Sequence, residues 1–301
     1  MERNGALPIT IKTKSRRTPG SISHGRPPTA IRKPAASLSA KATRTLIRAH
    51  HQLHKARARA VAENNEALVR DLDRQIAAHG GLESYQLASK KGQSKERGGD
   101  SSKVLVEWLA PVFEELNLQR RKPQNQGGGA SGASVGALST SNTCSRVGLL
   151  DVTRIDLHSQ EKGILQQDFM ERPLPTCDEE KFHIISLSLV LNYVSNSASR
   201  GQMLKRTTAF LTPPPPHIAT TGDAASENAP ACVLNSRYFT EERLRALMSS
   251  LGYEMVQRKV TLKLVYYLWK YSVDGVPRAS VFKKEILNPG GNRNNFTVTL
   301  D

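Results

Sequence analysis

The sequence contains few cysteines and no long apolar run. Cys144, Cys177 and Cys232 are widely spaced and form no C-x-x-C pair, which argues against a zinc site and against a disulfide framework. No apolar run reaches the roughly 18 residues that a membrane span needs, and the first thirty residues lack an apolar signal core. We therefore expect an intracellular protein with reduced thiols, no metal and no membrane segment.

Acidic residues are almost missing from the start of the chain. Residues 1–50 hold eleven Lys or Arg and one acid, and they are rich in Pro, Ser and Gly. Such a segment buries too little apolar surface to offset its ordering entropy, so residues 1–40 are predicted to be a disordered basic arm. The arm is either a solubilising tail or, as clustered cations favour, a nucleic-acid contact and a nuclear or nucleolar address.

Residues 41–121 are predicted to be a helical N-terminal region. The stretch 40–78 lacks Gly and Pro and has apolar residues at helical spacing, which fits one long helix or a helical hairpin broken near "ENNE". A second helix, "VLVEWLAPVFEELNL", should kink or break at Pro111. In "HHQLH", His50 and His54 would share one helix face, but nothing nearby completes a metal-ligand set, so we interpret them as a basic helix face.

The second half of the chain has the pattern of an α/β domain. Residues 122–134 are interpreted as a Gly-rich linker. In residues 135–301 short apolar runs alternate with helical stretches, which predicts a mostly parallel sheet covered by helices. The predicted strands include "VTRIDL", "GILQQ", "FHIISLSLVL", "ACVLNSRYF" and "FTVTL", and a Pro-rich irregular loop is expected at 212–230.

Two acids that follow short apolar runs suggest a nucleoside site. Ligands of open parallel sheets lie at the carboxyl ends of the strands, where an acid such as Asp156 can accept hydrogen bonds from ribose hydroxyls. Asp168 could accept from an adenine amino group, with Phe169 covering the base. Gly136 in "SVGALS" would let the backbone approach the ligand, and it belongs to no G-x-G-x-x-G motif, which disfavours a dinucleotide. S-adenosylmethionine, a nucleoside without phosphates, meets this description, although both acids could equally be strand-end turn or helix-cap residues.

The segment "GGDSSK" also has two interpretations. It can be a loop that leads into a helix N-cap at Asp100 or Ser101. Alternatively, the backbone amides at that helix start, with Arg97 beside them, hold the methionine carboxylate of the cofactor.

Several quoted segments together resemble one known family. They are "YQLASKKGQSKERGGDSSK", "TRIDLHS", "ILQQDFMERP", "ISLSLVLNYV", "CVLNSRYFTEERL" and "NPGGNRNNF". They look like the fungal methyltransferases that modify ring nitrogen 1 of an adenine in 25S ribosomal RNA. The resemblance implies a Rossmann-like methyltransferase sheet, S-adenosylmethionine as cofactor, large-subunit ribosomal RNA or a pre-ribosome as partner, and a nucleolar protein. It further implies cofactor contacts at Gly136, Asp156, Asp168, Phe169, Arg97 and the strand-end residues Ser186 and Leu187.

Two segments depart from the pattern of that family. "GGGASGASVGALS" replaces an apolar first strand, and the polar "TTGDAASENAPA" precedes Cys232, so a central strand is expected to be short or missing. A related animal protein is a sensor that binds S-adenosylmethionine and acts through protein partners, which is the alternative function for this chain.

The target base is expected beside "LNYV", after the fourth strand. Tyr193 could stack on the base and Asn192 could hydrogen-bond to it. The alternative for Tyr193 is a core aromatic at the edge of the sheet.

Overall fold

The computed structural model describes residues 39–92, 100–120, 130–148, 150–159, 161–212, 223–228, 230–261, 264–272 and 280–301. The basic arm lies almost wholly outside these ranges. The helices are α1 (Ala40–Ala62), α2 (Glu66–Ala78), α3 (Gly81–Gly92), α4 (Ser102–Arg120), α5 (Thr143–Val147), α6 (Val190–Tyr193), α7 (Ser197–Phe210), α8 (Pro230–Leu234) and α9 (Glu241–Ser250). The strands are β1 (Ala130–Val135), β2 (Leu150–Asp156), β3 (Leu165–Gln166), β4 (Ile184–Ser188), β5 (Asp223–Asn228), β6 (Tyr253–Val260) and β7 (Val265–Tyr271).

The first two helices form the hairpin that the sequence allowed. The side chain of Ser39 caps α1 by accepting a hydrogen bond from the backbone of Ala42. The chain turns at Asn64, which has a positive φ of 52°, and the side chain of Asn65 then caps α2. The break near "ENNE" therefore follows from two asparagines, which tolerate left-handed backbone and supply caps.

Helix α4 belongs to the sheet domain and not to a separate helical region, which corrects the boundary at residue 121. Leu105 and Leu109 of α4 are buried in one cluster with Ile184 of β4 and Leu268 of β7. The helix also runs through Pro111 without a break. Pro111 is exposed, so the carbonyl group that loses its helical partner there can bond to water.

The described strands form one sheet in the order β3-β2-β1-β4-β5-β7-β6. Strands β1 to β5 pair in parallel, whereas β7 runs antiparallel to both β5 and β6. The first three strands extend to one side of the sheet and β4 begins the other side, so the chain reverses its direction of winding between β1 and β4. This is the expected Rossmann-like sheet, with its switch point at those two strands.

Two of the central strands lie in segments that the sequence assigned to loops. Strand β1 occupies 130–135, most of which was interpreted as linker, and β5 occupies 223–228 within the predicted irregular loop. Each is hydrogen-bonded on both sides, β1 by β2 and β4, and β5 by β4 and β7. Hydrogen bonds to the neighbouring strands thus stabilise an extended conformation that the side chains of β1 and β5 do not themselves favour.

Two predicted strands are absent from the described residues. "ACVLNSRYF" contains helix α8 and a single bridge from Ser236 to Asn294, and "FTVTL" contributes only a bridge from Phe282 to Leu300. Both segments instead pack along the main core, whose fully buried large side chains include Trp269, Tyr267, Phe210 and Phe239. Within the described residues, no helix combines the length and apolar character that crossing a bilayer requires.

Candidate functional site

The carboxyl ends of β1, β2 and β4 meet at the switch point of the sheet. Val135, the last residue of β1, is paired with Ile155 on one side and with Leu187 on the other. The amide of Gly136 donates to the carbonyl of Ile155 at 3.0 Å, so the chain leaves β1 directly beside the end of β2. Crevices at such switch points are where Rossmann-like sheets bind their ligands, so this edge is the candidate site.

Gly136 has the conformation and surroundings that require glycine. Its φ is +75°, and a Cβ built on it would lie 2.6 Å from Cγ2 of Val190 and 3.3 Å from the carbonyl oxygen of Ser188. The letters "GGGASG" at 127–132 do have G-x-G-x-x-G spacing, but Gly132 lies inside β1. Gly132 therefore does not lie in a turn after the strand, whereas Gly136 follows the strand directly.

Asp156 is the last residue of β2, as the sequence predicted. One carboxylate oxygen, Oδ1, accepts a hydrogen bond from the amide of His158 at 2.8 Å. Burial raises the pKa of this half-buried carboxyl, and the bond from His158 only partly opposes that effect. Among the described residues Oδ2 has no hydrogen-bond partner. One carboxylate oxygen therefore stabilises the turn at the strand end, and the other is available to accept a hydrogen bond from a ligand.

The loop after β3 brings Asp168 close to the end of β2. The amide of Gln167 donates to the carbonyl of Asp156 at 2.9 Å, and Oδ1 of Asp168 accepts from the amide of Met170 at 2.7 Å. Phe169 differs from the expectation, because it is only 3% exposed and its ring packs 5.4 Å from that of Phe210. Its ring is part of the core and does not form the open cover of a base.

Ser186 and Leu187 are not at the end of their strand. Strand β4 continues to Ser188, and Leu189 follows with a positive φ of 59°. Leu187 is buried in the main core, and Ser186 pairs with Ser134, the last residue but one of β1. The strand-end positions of β4 are therefore Ser188 and Leu189, which the sequence did not reveal because the apolar run continues past the strand.

The described part of "GGDSSK", residues 100–103, forms a helix start. Arg97 lies outside the described residues, but Oδ1 of Asp100 accepts from the amide of Ser102 at 3.0 Å, which confirms the capping interpretation of Asp100. Oδ2 of the same carboxylate accepts from the amide and the hydroxyl of Thr143. Burial opposes ionisation of Asp100, yet these hydrogen bonds outweigh it and lower its pKa. Asp100 thus ties the start of α4 to the start of α5.

Asn192 and Tyr193 lie in the short helix α6 that follows β4. The thiol of Cys232 donates to Oδ1 of Asn192 at 3.0 Å. Tyr193 is 39% exposed, which contradicts the interpretation as a core aromatic. The hydroxyl end of the side chain is partly buried among its neighbours, and this burial raises the pKa of the Tyr193 hydroxyl. The nearby Tyr85 raises it further. Both residues therefore follow the carboxyl end of β4, and their side chains contact other elements.

Arg200 holds the segment that carries these two residues. It is 4% exposed, and its Nε donates to the carbonyl groups of Leu191 at 3.1 Å and Val194 at 2.9 Å. Its Nη1 donates to the carbonyl of Thr297 at 2.6 Å. The sequence gives no signal for this role, because the acceptors are main-chain atoms that any residue would present.

The histidines of "HHQLH" form an aromatic cluster and not a basic helix face. His50 is 8% exposed and stacks on Tyr85 of α3 at 4.5 Å with an interplanar angle of 10°. His51 contacts Tyr193, with ring centroids 4.4 Å apart. Burial, with nearby His54, lowers the pKa of His50 to about 4, and burial beside His50 lowers that of His51 to about 4. Both imidazoles are consequently neutral at physiological pH, and the described residues contain no cluster able to hold a metal ion.

Comparison with known proteins identifies relatives over most of the chain. The 25S rRNA (adenine(2142)-N(1))-methyltransferase of Saccharomyces cerevisiae is 42% identical over 228 residues, which cover 75% of this chain and 62% of that protein. The chain therefore spans less than two thirds of the length of that relative. The 25S rRNA adenine-N(1) methyltransferase of Schizosaccharomyces pombe is 35% identical over 261 residues, covering 84% of this chain and 89% of that protein.

Solved structures resemble the chain only weakly. A 1,6-didemethyltoxoflavin-N1-methyltransferase of Burkholderia thailandensis, with S-adenosylhomocysteine bound, has a TM-score of 0.38 and 13% identity, covering 57% of this chain and 89% of that one. The family model for 25S rRNA (adenine(2142)-N(1))-methyltransferase, Bmt2, by contrast matches residues 70–298, which contain Gly136, Asp156 and α6. The chain therefore belongs to the Bmt2 family of 25S rRNA (adenine(2142)-N(1))-methyltransferases.

Proposed function

We propose that this protein transfers the methyl group of S-adenosylmethionine to ring nitrogen 1 of an adenine in large-subunit ribosomal RNA. The observation that carries the proposal is the family match across residues 70–298, together with two relatives that bear this activity in their names. A sheet whose switch point has an open backbone at Gly136 and an acid at Asp156 supports it independently. No feature of the described residues favours the sensor alternative.

The residues at the strand ends fit the adenosine part of S-adenosylmethionine. The Oδ2 atom of Asp156, which has no partner in the described chain, can accept from a ribose hydroxyl. Asp168 can accept from the adenine amino group with its second oxygen, while Gly136 lets the backbone approach the ligand. When bound there, the cofactor supplies an electrophilic methyl group on its sulfonium.

The reaction needs no general base in the protein. Ring nitrogen 1 of neutral adenine carries a lone pair in the plane of the ring, so the nitrogen–carbon bond can form as the carbon–sulfur electron pair departs to sulfur. The protein then acts by holding the two reactants in line and by exclusion of water. Because this nitrogen lies on the Watson–Crick edge, the target base must be unpaired or turned out of a helix.

Asn192 and Tyr193 are the residues we assign to the target base. Tyr193 is partly exposed, and stacking of a base on an aromatic ring contributes roughly 1 to 3 kcal/mol. Tyr193→Ala should therefore lower kcat/KM for methyl transfer by about tenfold or more, whereas Tyr193→Phe, which keeps the ring, should retain most of it. Unchanged transfer in Tyr193→Ala would exclude this role.

We further propose that the pre-ribosome is the working partner and the nucleolus the location of the protein. Support comes from the naming of the relatives as rRNA methyltransferases and from the basic composition of residues 1–40. Each phosphate contact contributes about 0.7 to 0.9 to the slope of log affinity against log salt. Deletion of residues 1–40 should therefore weaken RNA binding and flatten that slope, and an unchanged slope would reject the role of the arm.

The deciding experiment incubates the purified chain with S-adenosylmethionine that carries a labelled methyl group and with large-subunit RNA that lacks the modification. Reverse transcription then locates the product, because a methylated Watson–Crick edge stops the enzyme. A stop at one adenine supports the proposal. Retention of the cofactor without transfer would favour the sensor, and no retention would reject the cofactor assignment.

A further inference from the structure

Two cations contact one tyrosine ring at the surface of the sheet domain. The ammonium nitrogen of Lys284 is 4.5 Å from the centre of the Tyr238 ring, and the guanidinium carbon of Arg237 is 5.8 Å from it. Lys284 is exposed, and Arg237 and Tyr238 are partly exposed. A ring contact of this kind positions a cation but leaves its net charge in place. The surface around Tyr238 therefore presents two neighbouring positive charges.

No acid in the described part of the chain forms an ion pair with either cation. The Arg237 guanidinium donates to two uncharged oxygens, Oδ1 of Asn295 at 3.1 Å and a main-chain carbonyl at 2.9 Å. Glu285, which follows Lys284 in the sequence, pairs with Arg243 at 3.7 Å. Two like charges held close together repel each other, and a bound anion relieves that repulsion. The surface therefore favours an anionic partner.

Hydrogen bonds between main-chain groups fix the backbone beneath this surface. The carbonyl of Arg237 accepts from the amides of Leu287 at 2.9 Å and Asn288 at 3.0 Å. The amide of Arg237 donates to the carbonyl of Asn294 at 2.9 Å. The two segments that carry the cations are thus tied together, so little backbone ordering is needed when a partner binds.

The surface lies at the same edge of the sheet as the candidate site. Strand β5 runs parallel to β4, so α8 and the residues after it continue from the carboxyl ends of both strands. The thiol of Cys232 in α8 bonds to Asn192. The carbonyl of Tyr238 accepts from the hydroxyl of Thr297, whose own carbonyl accepts from Arg200. An RNA strand that brings its base to α6 would therefore pass along this edge.

We propose that Lys284 and Arg237 bind backbone phosphates of the ribosomal RNA strand that flanks the target adenine. This inference rests on the proposed function, which supplies the RNA and the place of its reactive base. Phosphate contacts carry no sequence information, but they fix how a strand lies on the protein. An acidic protein could also meet two positive charges, but an RNA partner accounts for their place at the edge that holds the target-base segment.

The charge of Lys284 is the first thing to test. Lys284→Met removes the charge, whereas Lys284→Arg keeps it. Lys205→Met is the matched control, because Lys205 is also exposed but lies in the second half of α7, whose last residue bonds to Phe182 just before the amino end of β4. Arg237→Met tests the second cation, and Arg237→Lys, which keeps the charge but not the guanidinium, separates loss of charge from loss of stability. We measure the dissociation constant of unmodified large-subunit RNA at several salt concentrations, together with kcat and KM for methyl transfer.

Lys284→Met should weaken RNA binding by about 3- to 10-fold. It should also reduce the slope of log affinity against log salt by about 0.7 to 0.9, the contribution of one phosphate. KM for RNA should rise, while kcat and the affinity for S-adenosylmethionine stay unchanged, because the contact does not touch the reacting atoms. Lys284→Arg and Lys205→Met should behave as wild type. Wild-type affinity and slope in Lys284→Met, or an equal loss in Lys205→Met, would overturn the inference.

Competition with an acidic peptide identifies the class of partner. Polyglutamate, at the same concentration of charges as the RNA, should displace the RNA poorly. If polyglutamate binds as tightly as the RNA and loses affinity in Lys284→Met, the surface serves an acidic protein and the inference is wrong.

The binding and transfer measurements separate this inference from the proposed function. If the wild type transfers no methyl group but Lys284→Met reduces the salt slope, the proposed activity fails and the RNA contact remains. If the wild type is active and the slope does not change, only the role of the surface around Tyr238 fails.

Discussion

Replacing Gly136 with alanine tests how closely the strand ends approach one another. An alanine at the positive φ of 75° costs about 1 to 2 kcal/mol. Its Cβ would also press on Val190 and on the carbonyl of Ser188, and overpacking of this kind costs typically about 1 to 3 kcal/mol more. We therefore expect Gly136→Ala to lower the free energy of unfolding by roughly 2 to 5 kcal/mol.

Gly148→Ala is the matched control for this substitution. Gly148 has a similar φ of +67°, but nothing lies within 4 Å of a Cβ built there. This variant should lose only the backbone contribution, about 1 to 2 kcal/mol. Urea denaturation of both variants measures the difference, and equal losses would refute the close contact that we describe at Gly136.

The same pair of variants tests whether Gly136 belongs to the cofactor site. Val190 is two residues before Asn192, so a displaced Val190 would shift the segment that we propose to hold the target base as well as the crevice. Gly136→Ala should therefore reduce both the affinity for S-adenosylmethionine and the rate of transfer at a temperature where it remains folded. Gly148→Ala should change neither quantity. Calorimetric titration gives the affinities, and wild-type affinity in Gly136→Ala would remove Gly136 from the site.

Three further predictions follow from the described contacts. Asp156→Ala should weaken S-adenosylmethionine binding by roughly 10- to 150-fold. Asp151→Ala, at an exposed position of the same strand, should not weaken it. Equal affinities of the two variants in calorimetric titration would contradict the assignment of Asp156 to the ribose. Arg200→Met leaves buried carbonyl groups without a donor and should lower the free energy of unfolding by at least about 2 kcal/mol. An unchanged midpoint of urea denaturation would contradict this prediction. The pKa values of His50 and His51 are lowered from 6.5 to about 4, so the unfolded chain binds more protons. Stability should fall as pH drops through that window, and His50→Gln with His51→Gln should flatten the fall relative to wild type.

The sequence predicted two of the strand-end positions of the site, those of Gly136 after β1 and of Asp156 at the end of β2, because they leave a local signal. An acid after a short apolar run identified Asp156, and the spacing upstream identified Gly136. Phe169 was misinterpreted, because the sequence shows an aromatic next to Asp168 but not which way its ring turns. The ring is directed into the core, where Phe210 of a distant helix receives it.

Strands β1 and β5 could not be predicted from their residues. "ASGASV" and "DAASEN" lack the apolar character of a central strand, and they are extended because partners on both sides complete their hydrogen bonds. His51 and Arg200 were missed for a related reason. Their contacts are with Tyr193 and with main-chain carbonyls, and these are brought together only by the folded chain.

The hydrogen bonds of Arg200 to α6 and to the residue after it have a consequence for the choice of RNA. A guanidinium that binds the carbonyl groups of Leu191, Val194 and Thr297 holds the segment rigid, so the protein does not open there to admit a base. The RNA must therefore change its conformation to present the base. Turning a nucleotide out of a helix requires the least energy where the nucleotide is already unpaired. With the proposed activity, the protein would thus discriminate by local RNA structure, and it would methylate an adenine in a loop faster than the same adenine in a duplex.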